Sequence, residues 1–110
     1  MQITEERQNE IFIFKIAGSL DSKTAPLFEG KVAEALAKGA RQMILDFKNL
    51  AYISSAGLRV ILKTTKDIKR REGKIVLCSM ADYVKEVFEI SGFDSFLPIT
   101  GSCEDAKALF

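Results

Sequence analysis

The chain contains no histidine. That removes the usual general base for a serine nucleophile and the commonest nitrogen ligand of a metal centre, so no serine-nucleophile enzyme is expected. Cysteine is nearly as scarce. Cys78 and Cys103 are isolated, with no C-x-x-C spacing, which suggests neither a zinc site nor a disulfide framework and fits a reducing cytoplasm. Charge of one sign is missing too: sixteen basic and fifteen acidic side chains leave a formal charge of +1, so nucleic acid is not an expected partner. No apolar run approaches the roughly 20 residues needed to span a bilayer, and the polar, acidic start Met1-Gln2-Ile3-Thr4-Glu5-Glu6 does not read as a secretion signal. The expectation is a cytoplasmic protein with no membrane partner. A G-x-x-x-x-G-K-[ST] phosphate loop, a paired-carboxylate motif, repeats and linkers are all absent, so no cofactor and no enzymatic activity are expected.

What is present is enough apolar material, 47% of 110 residues, to bury one core, which predicts a single domain over residues 1–110. Ile3 and the run Ile11–Ile16, with Asn9 suited to a turn between them, read as a strand pair. Gly18-Ser19-Leu20-Asp21 closes the second strand, and Ser22, Thr24 and Pro26 mark a helix start. Phe28, Val32, Ala35 and Leu36 supply that helix's buried stripe, and Gly39 its stop. Met43 to Phe47 is a run without alternation, as in a strand covered on both faces, and Ile75, Val76 and Leu77 repeat the pattern. Ser79-Met80-Ala81-Asp82 predicts a capped third helix with Tyr83, Val84, Val87, Phe88 and Ile90 inward and Gly92 as its end. Phe96 to Ile99 reads as a short edge strand, and Ser102-Cys103-Glu104-Asp105 as the start of a last helix over Ala106–Phe110. Strands alternating with helices predict an α/β fold, a mixed sheet of about five strands with about four helices packed against it.

The junction after the Met43–Phe47 strand organises the rest. A short polar loop leads from Asp46 to Ser54 and Ser55, and the apolar residues then change period: Leu58, Ile61, Leu62, Thr65 and Ile68 recur at steps of three and four, one stripe of a helix. Two serines before such a stripe are N-cap candidates, and either hydroxyl could instead have a chemical role. The third and fourth helices carry Asp82 and Asp105 in their first turns, whereas the second helix begins Ser54-Ser55-Ala56-Gly57 with no carboxylate, an uncompensated positive pole that could receive a phosphate. Gly57 is costly in a helix, so either an approaching partner backbone or packing against a neighbouring loop must require it. Lys63, Lys66, Lys69, Arg70 and Arg71 form either a solvated face suited to a helix C-terminus or a docking patch for an acidic partner. Phe93 and Phe96 read as core or as a small apolar contact.

The segment Asp46-Phe47-Lys48-Asn49-Leu50-Ala51-Tyr52-Ile53-Ser54-Ser55-Ala56-Gly57-Leu58 resembles the signature of the STAS domain of anti-sigma-factor antagonists, in which a strand ending in aspartate leads to I-D-S-[SA]-G-L. Gly18-Ser19-Leu20-Asp21 is similar to that family's G-x-[LI]-D, and Ile90 to Phe96 to its stop after the third helix. The resemblance implies that Ser55 is phosphorylated by an anti-sigma-factor serine kinase, that the unphosphorylated form binds this kinase and frees the sigma factor, and that a PP2C-type phosphatase reverses the modification. It further implies a partner-binding surface of Asp21, Ser54, Ser55, Ala56, Gly57 and Leu58; Asp21 can equally be read as a helix-start aspartate. Ser54 stands where the family has an aspartate. Two alternative readings stand beside it: a non-phosphorylated STAS subunit of a larger assembly, such as a lipid-transport complex or a stress-signalling scaffold, and a small nucleotide-binding protein, a role proposed for this fold.

Overall fold

A computed structural model describes residues 1–95 and 97–110. Strand β1 (Gln2–Gln8) turns back through Asn9, whose φ of 56° suits a tight turn, and pairs antiparallel with β2 (Ile11–Leu20). Helix α1 (Ala25–Ala37) has Pro26 in its first turn and leads to β3 (Gln42–Asp46). Next along the chain are β4 (Leu50–Ile53), α2 (Ser55–Arg70), β5 (Lys74–Cys78), α3 (Asp82–Ser91), a 3-10 turn (Phe93–Ser95), β6 (Ile99–Thr100) and α4 (Cys103–Lys107). The sheet runs β1-β2-β3-β5-β6, parallel except for β1. Adjacent parallel strands need a crossover, and α1, α2 and α3 supply the three crossovers.

All three crossover helices bury their stripes on one face of the sheet. Phe12, Phe14 and Ile16 of β2 meet Phe28 and Val32 of α1, Ile61 and Ile68 of α2, and Val84 and Phe88 of α3 in one cluster. The opposite face carries Ile11, Ile13, Ile44, Val76 and Cys78, covered by Ala106 of α4. Strand alternation produces this division, since neighbouring residues of β2 point to opposite faces. Phe47 pins the chain as it leaves β3: its N–H donates to the Cys78 carbonyl at 3.0 Å, and its ring lies 6.3 Å from that of Phe88.

The expected α/β fold is present, with six strands rather than five among the described residues. The extra strand is β4, in the stretch expected to be a polar loop. Only Leu50 and Ile53 of its four residues are buried, so no alternation announced it; it forms because β2 is long enough to pair Ile11–Lys15 with β3 and Gly18–Leu20 with β4. Ser79 does not cap α3. Its φ is 63°, its N–H donates to the Thr100 carbonyl at 3.1 Å, and the residue at the cap position is Ala81, without a side-chain bond. Val84 and Phe88 face inward as expected, but Tyr83 and Ile90 are 57% and 80% exposed. Leu36 and Leu62 are only partly buried. The last strand is Ile99–Thr100, shifted from the expected Phe96–Ile99; Phe96 lies outside the described residues. Ser102 does cap the last helix, accepting from the Asp105 N–H at 3.1 Å, so α4 starts at Cys103 rather than Ala106. Cys78 and Cys103 are not isolated from each other: β5 and α4 bring their sulfurs together beside Asp46.

Candidate functional site

The β2–β4 pairing builds the serine junction. Leu20 and Ile53 are register partners, and the Ser54 N–H donates to the Leu20 carbonyl at 2.9 Å, so the end of one strand holds the start of α2. Ser54 is extended, at φ −99° and ψ 175°, and its hydroxyl accepts from the Gly57 N–H at 3.4 Å. It is the N-cap, a task that aspartate performs equally well. With the cap provided by Ser54, the hydroxyl of Ser55, the first helical residue, is exposed and free of that duty.

No acidic residue stands in the first turn of α2, so the dipole's positive end is uncompensated by its own helix. At Gly57 the reason lies in packing. A Cβ placed on Gly57 would come within 2.8 Å of Leu20 Cγ and 2.9 Å of the Leu20 carbonyl oxygen, closer than real contacts allow. The glycine is therefore required by this chain's own strand β2. Leu58 is likewise buried, whereas Ser54 and Ala56 are partly accessible and Ser55 fully so. Of the six residues expected at a partner surface, Gly57 and Leu58 are thus buried.

Asp21 comes directly after Leu20 and so lies at the same end of the sheet. Its carboxylate is committed to the start of α1, where Oδ1 accepts from the N–H groups of Lys23 at 2.9 Å and Thr24 at 3.1 Å and from the Thr24 hydroxyl at 3.2 Å. These donors, the Lys23 N–H foremost, hold the carboxyl below its ordinary range against a small opposing effect of burial. It is a helix-start aspartate beside the junction.

Three features were not identified from the sequence. Tyr52 of β4 is 54% exposed two residues before the cap, an aromatic of the kind that anchors protein interfaces. Arg59 is exposed one helical turn after Ser55, and among the described residues it has no ion-pair partner. A shallow groove of about 360 Å³ between α1 and α2 is lined by Ser22, Ala25, Pro26, Ala56, Arg59 and Val60. Tyr52 and Arg59 follow from the residue spacing once β4 and α2 are placed; the groove does not, because α1 and α2 are brought together only by the sheet.

The basic residues late in α2 are largely occupied locally. Lys63 pairs with Glu29 at 2.8 Å, Arg70 with Asp67 at 3.0 Å, and Arg71 donates to the Leu36 carbonyl at 2.7 Å. Among the described residues no helix is long and apolar enough to cross a membrane.

Comparison with known proteins gives a consistent family. A sequence model described as the STAS domain matches residues 2–106. BtrV of Bordetella bronchiseptica, described as a candidate anti-sigma factor antagonist, is 41% identical over 110 residues, covering 100% of this chain and 95% of that protein. The crystal structure of a candidate anti-sigma factor antagonist from Thermotoga maritima superimposes with a TM-score of 0.93 at 23% identity, covering 96% of this chain and 92% of that one. The Bacillus cell fate determinant SpoIIAA, in its phosphorylated form, gives a TM-score of 0.77 at 21% identity, with 97% of each chain covered.

Proposed function

The chain belongs to the STAS domain family, with relatives named anti-sigma factor antagonists, and on that premise we propose that it is a phosphorylation-switched binding module with Ser55 as its acceptor. In this reading the unphosphorylated domain binds an anti-sigma-factor serine kinase in the cytoplasm and so frees the sigma factor. Phosphate on Ser55 ends the interaction, and a PP2C-type phosphatase restores it.

The observation that carries the reading is the start of α2: an exposed Ser55, capped next door by Ser54, on a helix with no carboxylate in its first turn. A phosphate there adds about −1.5 to −2 charge at neutral pH. The dipole and the first-turn N–H groups receive it favourably, and Arg59 at i+4 is placed to pair with it. The domain keeps its fold, so the switch must act at the interface. A doubly charged group in the centre of a contact formed by Tyr52, Ser54, Ser55 and Ala56 must be desolvated on association, at a cost of about 2–5 kcal/mol.

The test is partner affinity measured on both forms of one preparation. Unphosphorylated protein and Ser55→Ala are expected to bind the anti-sigma factor alike, and the phosphoprotein at least roughly thirtyfold more weakly, by the same 2–5 kcal/mol. Equal affinity for both forms would favour a non-phosphorylated subunit of a larger assembly.

A further inference from the structure

Asp46 and Cys78 end β3 and β5, and they are register partners in a parallel pair. Parallel partners point to the same face, here the face covered by α4 and turned away from α1, α2 and α3. Cys103, the first residue of α4, packs against that face from above. One carboxylate oxygen and two sulfurs, from three separate elements, lie within 4.8 Å of one another. We propose that Asp46, Cys78 and Cys103 form a three-ligand site for a thiophilic divalent cation, zinc in the first instance.

The spacing suits such an ion. Zinc sits about 2.3 Å from thiolate sulfur and about 2.0–2.2 Å from carboxylate oxygen, which in a tetrahedron separates these donor atoms by roughly 3.5–3.8 Å. Side-chain adjustments within the present positions close the difference. Two sulfurs and one oxygen favour a borderline-soft ion over magnesium or calcium, which prefer all-oxygen sets. Asp46 and Cys103 also line an open cavity of about 770 Å³ at the C-terminal ends of the strands, giving the ion an access route and leaving a fourth position for water or a ligand.

The surroundings complete the argument. Asp46 Oδ1 accepts from the Lys48 N–H at 3.0 Å, which orients the carboxylate and leaves Oδ2 for an ion. Cys78 is fully buried. A bound cation holds its sulfur ligands as thiolates. Binding then releases two protons, one from each thiol, with no change of oxidation state, and leaves a complex of net charge −1. Lys15, the register partner of Asp46 on β2, stands in the same row and offsets that charge, though it also pairs with Glu6 at 3.1 Å.

The test uses the full chain, reduced and stripped with a chelator, titrated with Co(II) and then Zn(II). A thiolate-to-cobalt absorption saturating at one equivalent, bleached by zinc, with two protons released per ion, is the expected result. Cys103→Ala, at a partly exposed position, is expected to lower the metal-free melting temperature only slightly and weaken zinc at least about 100-fold. Asp46→Asn is expected to weaken it as well. A reduced protein with no thiolate–cobalt band, or unchanged zinc affinity in Cys103→Ala, overturns the site; unchanged affinity in Asp46→Asn overturns the three-ligand assignment. None of these readouts depends on Ser55.

Discussion

Helices α2 and α4 begin with the same device and differ in the first turn beyond it. Ser54 and Ser102 are both extended N-caps, accepting from the N–H three residues on, at 3.4 Å and 3.1 Å. Position by position, Ser55 then corresponds to Cys103, Ala56 to Glu104, Gly57 to Asp105 and Arg59 to Lys107. In α4 the pole already faces two carboxylates, and Lys107 lies 3.5 Å from Glu104. In α2 both acidic positions hold small residues, and the cation a turn later has no ion-pair partner among the described residues. The charge that α4 carries in its sequence is thus absent from α2, and in the proposed switch a phosphate on Ser55 would supply it.

The comparison breaks most visibly at Gly57. Gly57→Asp copies the acid of α4 onto α2, but its Cβ would strike the Leu20 carbonyl and its carboxylate would be buried; the expected loss is about 3 kcal/mol or more, read from denaturant unfolding. Asp105→Gly, the reverse exchange, is expected to cost about 1 kcal/mol. Equal losses would mean that packing against β2 is not what keeps position 57 free of acid.

Next in size is the cap. Ser54→Ala is expected to lower stability by about 1 kcal/mol, while Ser54→Asp should be nearly neutral. Denaturation curves that fall equally for both would remove the capping role and with it the argument that Ser55 is free. Smaller still is the effect of charge at an accessible position. Ala56→Glu, matching Glu104, is expected to add about 0.3–1 kcal/mol to the unphosphorylated domain. The same substitution should reduce whatever stability phosphorylation adds. Arg59→Ala should remove about 0.3–0.5 kcal/mol from the phosphoprotein alone. Thermal melting of each variant in both forms checks these two, and a phosphoprotein that melts several degrees below its parent would show that phosphate acts by disturbing the fold.

How far these features could be read from residues alone depends on the reach of each interaction. The buried stripes of α1 and α2 and the runs of β3 and β5 repeat at helical or sheet spacing, so they were legible, as were the Ser54 and Ser102 caps, whose partners lie three residues away. Strand β4 was not, because its pairing depends on β2 outlasting β3, a fact of tertiary geometry. Ser79 matched a capping pattern, yet its N–H is taken by Thr100 of β6, and that long-range bond overrides the local option. Tyr83 and Ile90 fit an inward stripe but turn outward, since α3 is short and covers the core with Val84 and Phe88. The two cysteines looked unrelated because only the order of β5 and α4 around the sheet makes them neighbours. At the candidate site the serines and Gly57 were readable by position, and the reason for Gly57 was not.

The claim that the start of α2 receives the phosphate, on Ser55, is tested most directly by intact-mass measurement after incubation with ATP and the serine kinase recovered from the native cell. Wild type and Ser54→Ala should each gain the mass of one phosphate, and Ser55→Ala none, with all three proteins folded. A Ser55→Ala protein that still gains one phosphate would contradict the account, and loss of the gain in Ser54→Ala instead would move the acceptor to the residue assigned here as the cap.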